Sequence, residues 1–532
     1  MPDEFKDLFI IYSFGLTLIF FLSFFTYYVS NKFSLTISKK NSYYIFFTSF
    51  LFYIISILYI SFGKINALHH YYDFAAHLEM LWRNSQGLGL TMLSAETYHG
   101  SINWFAAHFT PIIYFTYIPI FKIFPSPYII PLSESFFILS SLIPLWLICK
   151  KYLNTNLSRL IICSFLFYPT IFYTNLYGIA YIELCIPLFL WLFYFFDEKK
   201  NSLFILTFIL CLLIREEVSL VTCFFGIYML IKKRYLIGLF VIFVSIIYFY
   251  TALSIVIPFF GSENFYEKDH ISTILFEEWG DTYLEVILNI LLNPIDAFIK
   301  MISIPKIGNF VMILAPLLFI PLTNILAFFI AIPNLAMVFL SPAITHSSYM
   351  LYYLSPTIPI IFYATVSGIT ILKKLRYVNI NSLVNAILVS SITATIFFGA
   401  TPISIAFWNK GYKVGNFYTT NFHRSAYVEE ERDVIAKKMV KLIPENAVVS
   451  AEQHFLPLLF KKKKIKVFPD EDKNIEYVLI DILNPKKTGG MDDNYLSFRL
   501  DPEFYYQKYL KNNNWTIVAE DKGVTLLKKN DL

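Results

Sequence analysis

The sequence predicts a polytopic α-helical membrane protein, with about twelve spanning helices and a C-terminal soluble α/β domain. Three observations carry that reading. Of the 532 residues, 57% are hydrophobic, 19% aromatic and only 15% charged, against roughly 25% charged residues in ordinary soluble domains. Such a chain cannot cover its own core with polar surface. This excludes a water-soluble enzyme, and the same hydrophobicity excludes a disordered chain. Long apolar runs recur as far as residue 405, whereas residues 406–532 hold 39 of the 81 charges. The net charge of +5 is small and dispersed, so no nucleic-acid partner is expected. Cys149, Cys163, Cys185, Cys211 and Cys223 lie in or beside apolar runs and form no CxxC metal site or disulfide framework.

The acidic start, Met1 to Asp7, feeds the apolar run 7–29. It reads as an uncleaved spanning helix, because a signal peptide has a basic start and a shorter core. Further runs fall at 42–62, 127–149, 159–174, 180–196, 201–214, 217–231, 235–257, 309–323, 324–340, 350–372 and 382–405. The short run 110–124, closed by Pro125-Ser126-Pro127, is a further span or a helix lying at the interface. Short connections carry Lys32, Lys39 and Lys40, then Lys150, Lys151 and Arg159, then Lys199 and Lys200. Lys232, Lys233 and Arg234, then Lys373, Lys374 and Arg376, continue the pattern. Placing these in the cytoplasm gives twelve alternating spans with both termini outside.

The outer connections are then 63–126, 174–183, 214–217, 258–308, 341–349 and the tail. They hold Asp73, Glu79, Glu96, Glu183, Glu216, Glu217, Asp269, Glu277, Glu278 and all nine histidines. A transporter needs a polar route to both sides. Polar groups crowding one side favour a site at the outer leaflet.

The tail, 406–532, reads as α/β. Helical spacing over 426–443 ends at Pro444, and strand-like runs follow at Ala447–Ala451, Ile465–Phe468, Tyr477–Ile482, Thr516–Ala519 and Val524–Leu527. Lys461–Lys464 reads as a solvated turn, with anionic headgroups as the sharper alternative.

The strongest polar constellation is His69-His70-Tyr71-Tyr72-Asp73-Phe74-Ala75-Ala76-His77-Leu78-Glu79. Asp73 and His77, at i and i+4, share a helix face. A carboxylate with an imidazole can bind a divalent metal such as Mg or Mn, or act as a base with an orienting partner. The plain alternative is an interfacial helix whose polar face meets water. His108 stands at the entry to an apolar helix, where the plain reading is a histidine that caps the helix or contacts headgroups. Glu183 is one turn into a run, where a charge costs roughly 2.5–3.5 kcal/mol at mid-span and so needs a partner or a wet cavity. Arg215-Glu216-Glu217 is either an outer turn with a local ion pair or a phosphate-binding wall, since Arg pairs bidentately with phosphate. His346 and Tyr349 mark the outer start of another run, where the plain reading is a helix start capped by Thr345 or Ser347.

Asp73-x3-His77-x4-Trp82, His108-Phe109-Thr110-Pro111, Phe124-Pro125-Ser126-Pro127, Glu183-x3-Pro187, Arg215-Glu216-Glu217-Val218 and the His346/Tyr349 segment occur in an order that resembles the membrane proteins grouped as domain of unknown function 2079. The resemblance covers about residues 60–530, including Leu442-Ile443-Pro444 and Val448-Val449-Ser450-Ala451, and the run 7–29 looks like an addition. That family in turn resembles the GT-C glycosyltransferases, which use polyprenyl-phosphate sugars and carry an essential acidic residue in the first outer loop. The resemblance implies a GT-C-like domain over 1–405, with an extracytoplasmic α/β domain over 406–532. It also implies Asp73 and His77 in catalysis or metal binding, and His108, Glu183, Arg215, Glu216, His346 and Tyr349 in substrate binding. Two departures stand out: the family often has Asp where this chain has His77, and His near Glu183. The partners implied are membrane lipid, a polyprenyl-phosphate sugar donor and a glycan, lipid or protein acceptor. The other readings are a transport or non-catalytic protein for lipid-linked glycans, and a membrane-anchored assembly factor.

Overall fold

The computed structural model describes residues 3–70, 72–94, 102–261, 273, 275–343, 345–410, 412, 422–470, 472–482, 502–511 and 514–530. Tyr71, Glu96, His99, Asp269 and His270, which the sequence placed on the outer side, lie outside them. The chain is mostly helical, with one small sheet near its C-terminus.

Among the described residues, six helices are long and apolar enough to cross a membrane: Tyr12–Lys32, Lys39–Asn66, Ile129–Tyr152, Tyr235–Phe260, Ile320–Leu340 and Ile380–Phe398. Two bent pairs, Thr155–Leu166 with Pro169–Tyr177 and Pro294–Lys300 with Ile304–Leu317, raise the number to eight if each is one span. Twelve is therefore not reached on length alone. Several expected runs are shorter helices, such as Asn201–Leu212, Val218–Ile231 and Thr357–Leu372. Irregular backbone interrupts the apolar stretches: Gly178, Ile179 and Tyr181 take positive φ before a 3-10 turn at Ile182–Leu184. Among its described residues, the expected outer loop 258–308 includes the helices Tyr283–Leu292 and Pro294–Lys300.

Broken helices free backbone carbonyls, which inside a bilayer must find donors within the protein. Helix Ile380–Phe398 supplies them. Ser390 Oγ donates to Ala315 O (2.8 Å) and Ser391 Oγ to Pro316 O (2.9 Å), where Leu318 and Phe319 turn left-handed. Thr395 Oγ1 donates to Phe167 O at the 166–169 bend, and Tyr168 OH to Ile313 O (2.6 Å).

Helices Val218–Ile231 and Tyr235–Phe260 meet through glycine, the small-residue contact that lets membrane helices approach closely. A Cβ on Gly238 would lie 3.0 Å from Gly226 O and 2.9 Å from Leu230 Cδ2. Gly238→Leu is therefore expected to force the helices apart and to lower the unfolding temperature in detergent by several degrees, whereas Phe243→Leu, at an exposed position on the second helix, is expected to leave it unchanged.

The tail forms a five-stranded sheet of order β2-β1-β3-β5-β4. Strands β1 (Val448–Ala451), β2 (Lys464–Val467) and β3 (Tyr477–Asp481) are parallel, while β4 (Trp515–Asp521) and β5 (Val524–Lys529) add an antiparallel hairpin. The hairpin turns through Lys522 and Gly523, both at positive φ, as a two-residue connection matched to strand twist requires. The helix begins at Glu431 instead of 426, because Glu430 and Asp433 form a reciprocal capping box. A further helix, Pro502–Leu510, has no counterpart in the sequence reading.

The sheet packs onto the helix Tyr72–Ser85. Leu68 and Ala75 belong to the same core as Ile435, Phe455 and Leu479. Phe460 meets Trp82 edge-on at 6.0 Å, with Lys461 Nζ 5.2 Å from the Trp82 ring, and Lys437 Nζ donates to Asn66 O (2.7 Å). The lysine run is thus partly tied to the protein, with Lys462 Nζ on Ile443 O (2.5 Å) and Lys464 Nζ on Asp472 (2.8 Å).

At the carboxyl ends of β1 and β3, Glu452 Oε1 accepts from Asp481 N (3.0 Å), and His454 Nδ1 lies 3.6 Å from Glu452 Oε2. Arg432 pairs with Asp481. Burial pushes the Glu452 carboxyl up to about 8. The folded tail then holds a proton that the unfolded chain releases above its ordinary carboxylate range, so this group's stabilisation is present below that range and is lost as pH rises to about 8. Protease resistance of the tail is expected to be higher at pH 5 than at pH 8.5, and Glu452→Gln is expected to narrow the difference.

Candidate functional site

Helix Tyr72–Ser85 presents Asp73 and His77 to the irregular segment after Tyr177. Tyr177 OH donates to Asp73 Oδ2 (2.6 Å), and Tyr181 OH lies 3.3 Å from His77 Nδ1. The two side chains expected to act as a pair are each matched to a tyrosine, four residues apart. Burial raises the Asp73 carboxyl, and the Tyr177 hydrogen bond works against that rise. Burial, with His108 and Arg215 nearby, pushes His77 down to about 3, so its ring is neutral near pH 7. The ring also sits edge-on to Trp104 at 4.6 Å. Glu79 is turned elsewhere, accepting from Leu93 N (3.2 Å), Ser94 N (3.0 Å) and Ser94 Oγ (2.7 Å), which fastens the loop to the helix.

Beside Trp104 stands the most highly charged group. His108 Nδ1 lies 2.7 Å from Glu216 Oε1, and Phe109 N donates to Glu216 Oε2 (2.9 Å). Arg215 Nε bonds Glu217 (2.9 Å to Oε1), while Arg215 Nη2 lies 2.9 Å from His108 Nε2. The corner between helices Asn201–Leu212 and Val218–Ile231 is too tight to send these side chains to water, and Arg215 is 7% exposed.

A row of aromatic rings links the two groups. Tyr177 contacts Tyr352 (4.4 Å between centroids), Tyr352 contacts Tyr353 (4.2 Å), and Tyr353 contacts His346 (4.4 Å). Ser341 Oγ lies 2.7 Å from His346 Nδ1, and burial with the nearby Arg215 pushes this imidazole down to about 4. Asp73, His77, His108, Arg215, Glu216 and His346 are thus brought together from four separate stretches of chain. Glu183 joins them deeper in: it accepts from Tyr117 OH, and Tyr117 contacts Tyr181 at 5.2 Å. Tyr349 does not join. Its hydroxyl reaches Phe398 O (3.4 Å) and its ring packs on Tyr173 at 6.0 Å, so it serves the helix bundle.

Sequence reasoning missed Glu134 and Lys64. Glu134 accepts from Ile179 N, the residue at φ +95°, and its second oxygen is buried with no hydrogen-bond partner among the described residues. Lys64 Nζ donates to Leu176 O (3.0 Å). Positive φ on a β-branched residue such as Ile179 costs about 1–3 kcal/mol and persists only where its surroundings enforce it. Glu134 is one such restraint, and the segment it holds carries both Tyr177 and Tyr181. The signal was available: Ser133-Glu134-Ser135 interrupts an apolar run, and an ionisable residue inside a span is by default a functional candidate. Glu134→Leu is expected to leave Ile179 N–H buried and unbonded, at about 1–3 kcal/mol, and to raise the proteolytic sensitivity of the 177–183 segment.

The family comparison falls on this same chain. The family described as a predicted membrane protein, DUF2079, matches residues 64–526. The chain belongs to the DUF2079 family. The match takes in the Asp73 helix, the Arg215 corner, the His346 loop and most of the sheet, and leaves out the first helix and all but the end of the second, Lys39–Asn66. No curated protein matches this DUF2079 chain.

Among the described residues, the group of His, Cys, Asp and Glu side chains close enough to share one ion is His108, Glu216 and Glu217, with ligand atoms within 4.8 Å of one another. Asp73 and His77, the pair expected to hold a metal, are not in it. One imidazole and two carboxylates suit a divalent cation. In this DUF2079 protein, however, the Arg215 guanidinium lies against the same atoms and already offsets one of the two negative charges.

Proposed function

We propose that this membrane protein is a GT-C-like glycosyltransferase, taking a sugar from a polyprenyl-phosphate donor and passing it to an acceptor hydroxyl at the outer membrane face. The observation that supports the reading is the pairing of opposite chemistry: the half-buried carboxylate Asp73 and the neighbourhood of the Arg215 guanidinium are joined by the row Tyr177, Tyr352, Tyr353 and His346. The acceptor oxygen attacks the anomeric carbon with inversion as the carbon–oxygen bond to phosphate breaks. Asp73 takes the hydroxyl proton, and the leaving polyprenyl phosphate departs with the bonding electrons, its charge stabilised by Arg215. Tyr177 orients Asp73. His77, His108, Glu183 and Glu216 complete the polar wall. The isoprenoid tail lies between spans, so the pocket needs a lateral opening, and the sheet over the Asp73 helix contributes to acceptor binding.

A divalent ion, Mg or Mn, would be held by His108, Glu216 and Glu217, adding positive charge beside the phosphate. Mn titration followed by electron paramagnetic resonance is expected to show binding that Glu216→Ala removes and Asp73→Asn retains.

The deciding experiment places the purified protein in nanodiscs with a panel of radiolabelled polyprenyl-phosphate hexoses and measures release of polyprenyl phosphate. Release that requires Asp73 supports the reading. Movement of the labelled lipid between leaflets with no bond broken would replace it with a transport function, and a phenotype confined to deletion of 406–532 would favour an assembly role.

A further inference from the structure

Helices Tyr283–Leu292 and Pro294–Lys300 present three distinct faces. Leu284, Leu288 and Leu291 recur at helical spacing and are exposed, and Ile295, Phe298 and Ile299 extend the stripe. Ile295 is 76% exposed and Leu291 67%. The opposite face is packed: Val286 and Ala297 share a small core with Trp279 and Leu340. Between the two runs a polar edge, where Lys300 Nζ pairs with Glu278 (2.8 Å) and Asp296 (3.6 Å) and lies 4.7 Å from the Trp279 ring centroid.

Exposed apolar residues recurring along one face in this way mark a surface that a partner or a membrane covers. It is also continuous with lipid-facing surface, because Ile302, Ile304 and Ile307 are exposed along the way into Ile304–Leu317. That helix meets Pro294–Lys300 at a bend of 83°. If the longer helix runs along the membrane normal, the shorter one lies in the membrane plane. The geometry points to an in-plane platform: residues 283–300 dock on the bilayer's headgroup–acyl boundary, apolar stripe inward and the Glu278–Lys300–Asp296 edge toward water.

The partner is the acyl boundary itself and not anionic headgroups. The segment 277–300 carries Glu277, Glu278, Asp281, Glu285 and Asp296 against the single Lys300, so acidic lipid gains nothing from it. The platform also bears on the site, since its packed face touches Leu340, next to the Ser341 that bonds His346.

The test uses full-length protein with Cys223→Ser, which removes the native thiol that is not buried, and a bimane label on Ile295→Cys or Asp296→Cys. In phosphatidylcholine nanodiscs, the label at 295 is expected to be quenched at least twofold more by 5-doxyl lipid than by 12-doxyl lipid. Aqueous iodide is expected to quench the label at 296 at least twofold more than that at 295. Replacing a third of the lipid with phosphatidylglycerol is expected to change neither ratio. Stronger quenching of 295 by 12-doxyl lipid would overturn the platform in favour of a crossing or re-entrant segment. Equal iodide access at 295 and 296 without doxyl quenching would place the stripe in water, and protection of 295 from both quenchers would assign it to a protein partner. Because no sugar donor is involved, failure of this test leaves the glycosyltransferase reading standing, and the reverse holds too.

Discussion

Asp73→Asn is expected to lower release of polyprenyl phosphate by about 10²–10⁴-fold, the range spanned by loss of a positioned base, with the unfolding temperature unchanged within a few degrees. Asparagine keeps the shape of the side chain and an oxygen to accept from Tyr177 OH, which lies 2.6 Å from Asp73 Oδ2, so the aromatic row stays in place. What is removed is the ability to take a proton. The pH profile adds a second readout. A base works only when ionised, so turnover falls as pH drops through the Asp73 pKa, which burial has raised. Tyr177→Phe deletes the hydrogen bond that opposes this rise, and the acid limb of the profile is expected to move to higher pH. A Tyr177→Phe enzyme with reduced rate but an unmoved limb would mean that the tyrosine packs without tuning the carboxylate.

Arg215→Ala is expected to be the most destabilising single change at the site. It would leave Glu216 and Glu217 in a buried corner without their cation, and breaking a buried ion pair by removing one partner costs about 3–5 kcal/mol. Arg215→Lys keeps the charge but cannot reach Glu217 and His108 with one planar fork. It is expected to recover part of the stability and little of the turnover. The double variant Arg215→Met with Glu217→Gln separates the two roles. Removing both charges together is expected to restore most of the unfolding temperature in detergent, because no uncompensated carboxylate is left at position 217, while donor turnover stays low for want of a group to meet the leaving phosphate. Full turnover in that double variant would remove Arg215 from the chemistry.

Much of this site was readable in the sequence because ionisable residues at the ends of apolar runs are conspicuous. Asp73, His108, Arg215 and His346 all lie at such positions, and the structure brings them together. The tyrosines that connect them were not readable: with 38 tyrosines in the chain, nothing in spacing marks Tyr177 or Tyr352 from those that only pack. Glu134 escaped because a single charge within a long hydrophobic stretch barely alters its average, and Lys64 because it falls just past the run 42–62, where a lysine reads as loop. All five strands of the tail were legible as short strand-like runs, but the helix Pro502–Leu510 was not. The number of crossings was the least legible quantity. Hydropathy registers an apolar stretch whether or not its backbone is continuous, and the breaks at 166–169 and 315–320 are made tolerable by hydroxyls elsewhere in the chain.

Those hydroxyls have a bearing on biogenesis. Ser390, Ser391 and Thr395 sit on a helix that emerges from the ribosome only after the kinked segments at 166–169 and 315–320 have been made. Until it arrives, the kinked segments upstream lack their donors in a medium that offers no substitute. The nascent protein must therefore wait in the translocon's neighbourhood in an unfinished state, and chains truncated before residue 380 are the ones that quality-control proteases should clear fastest.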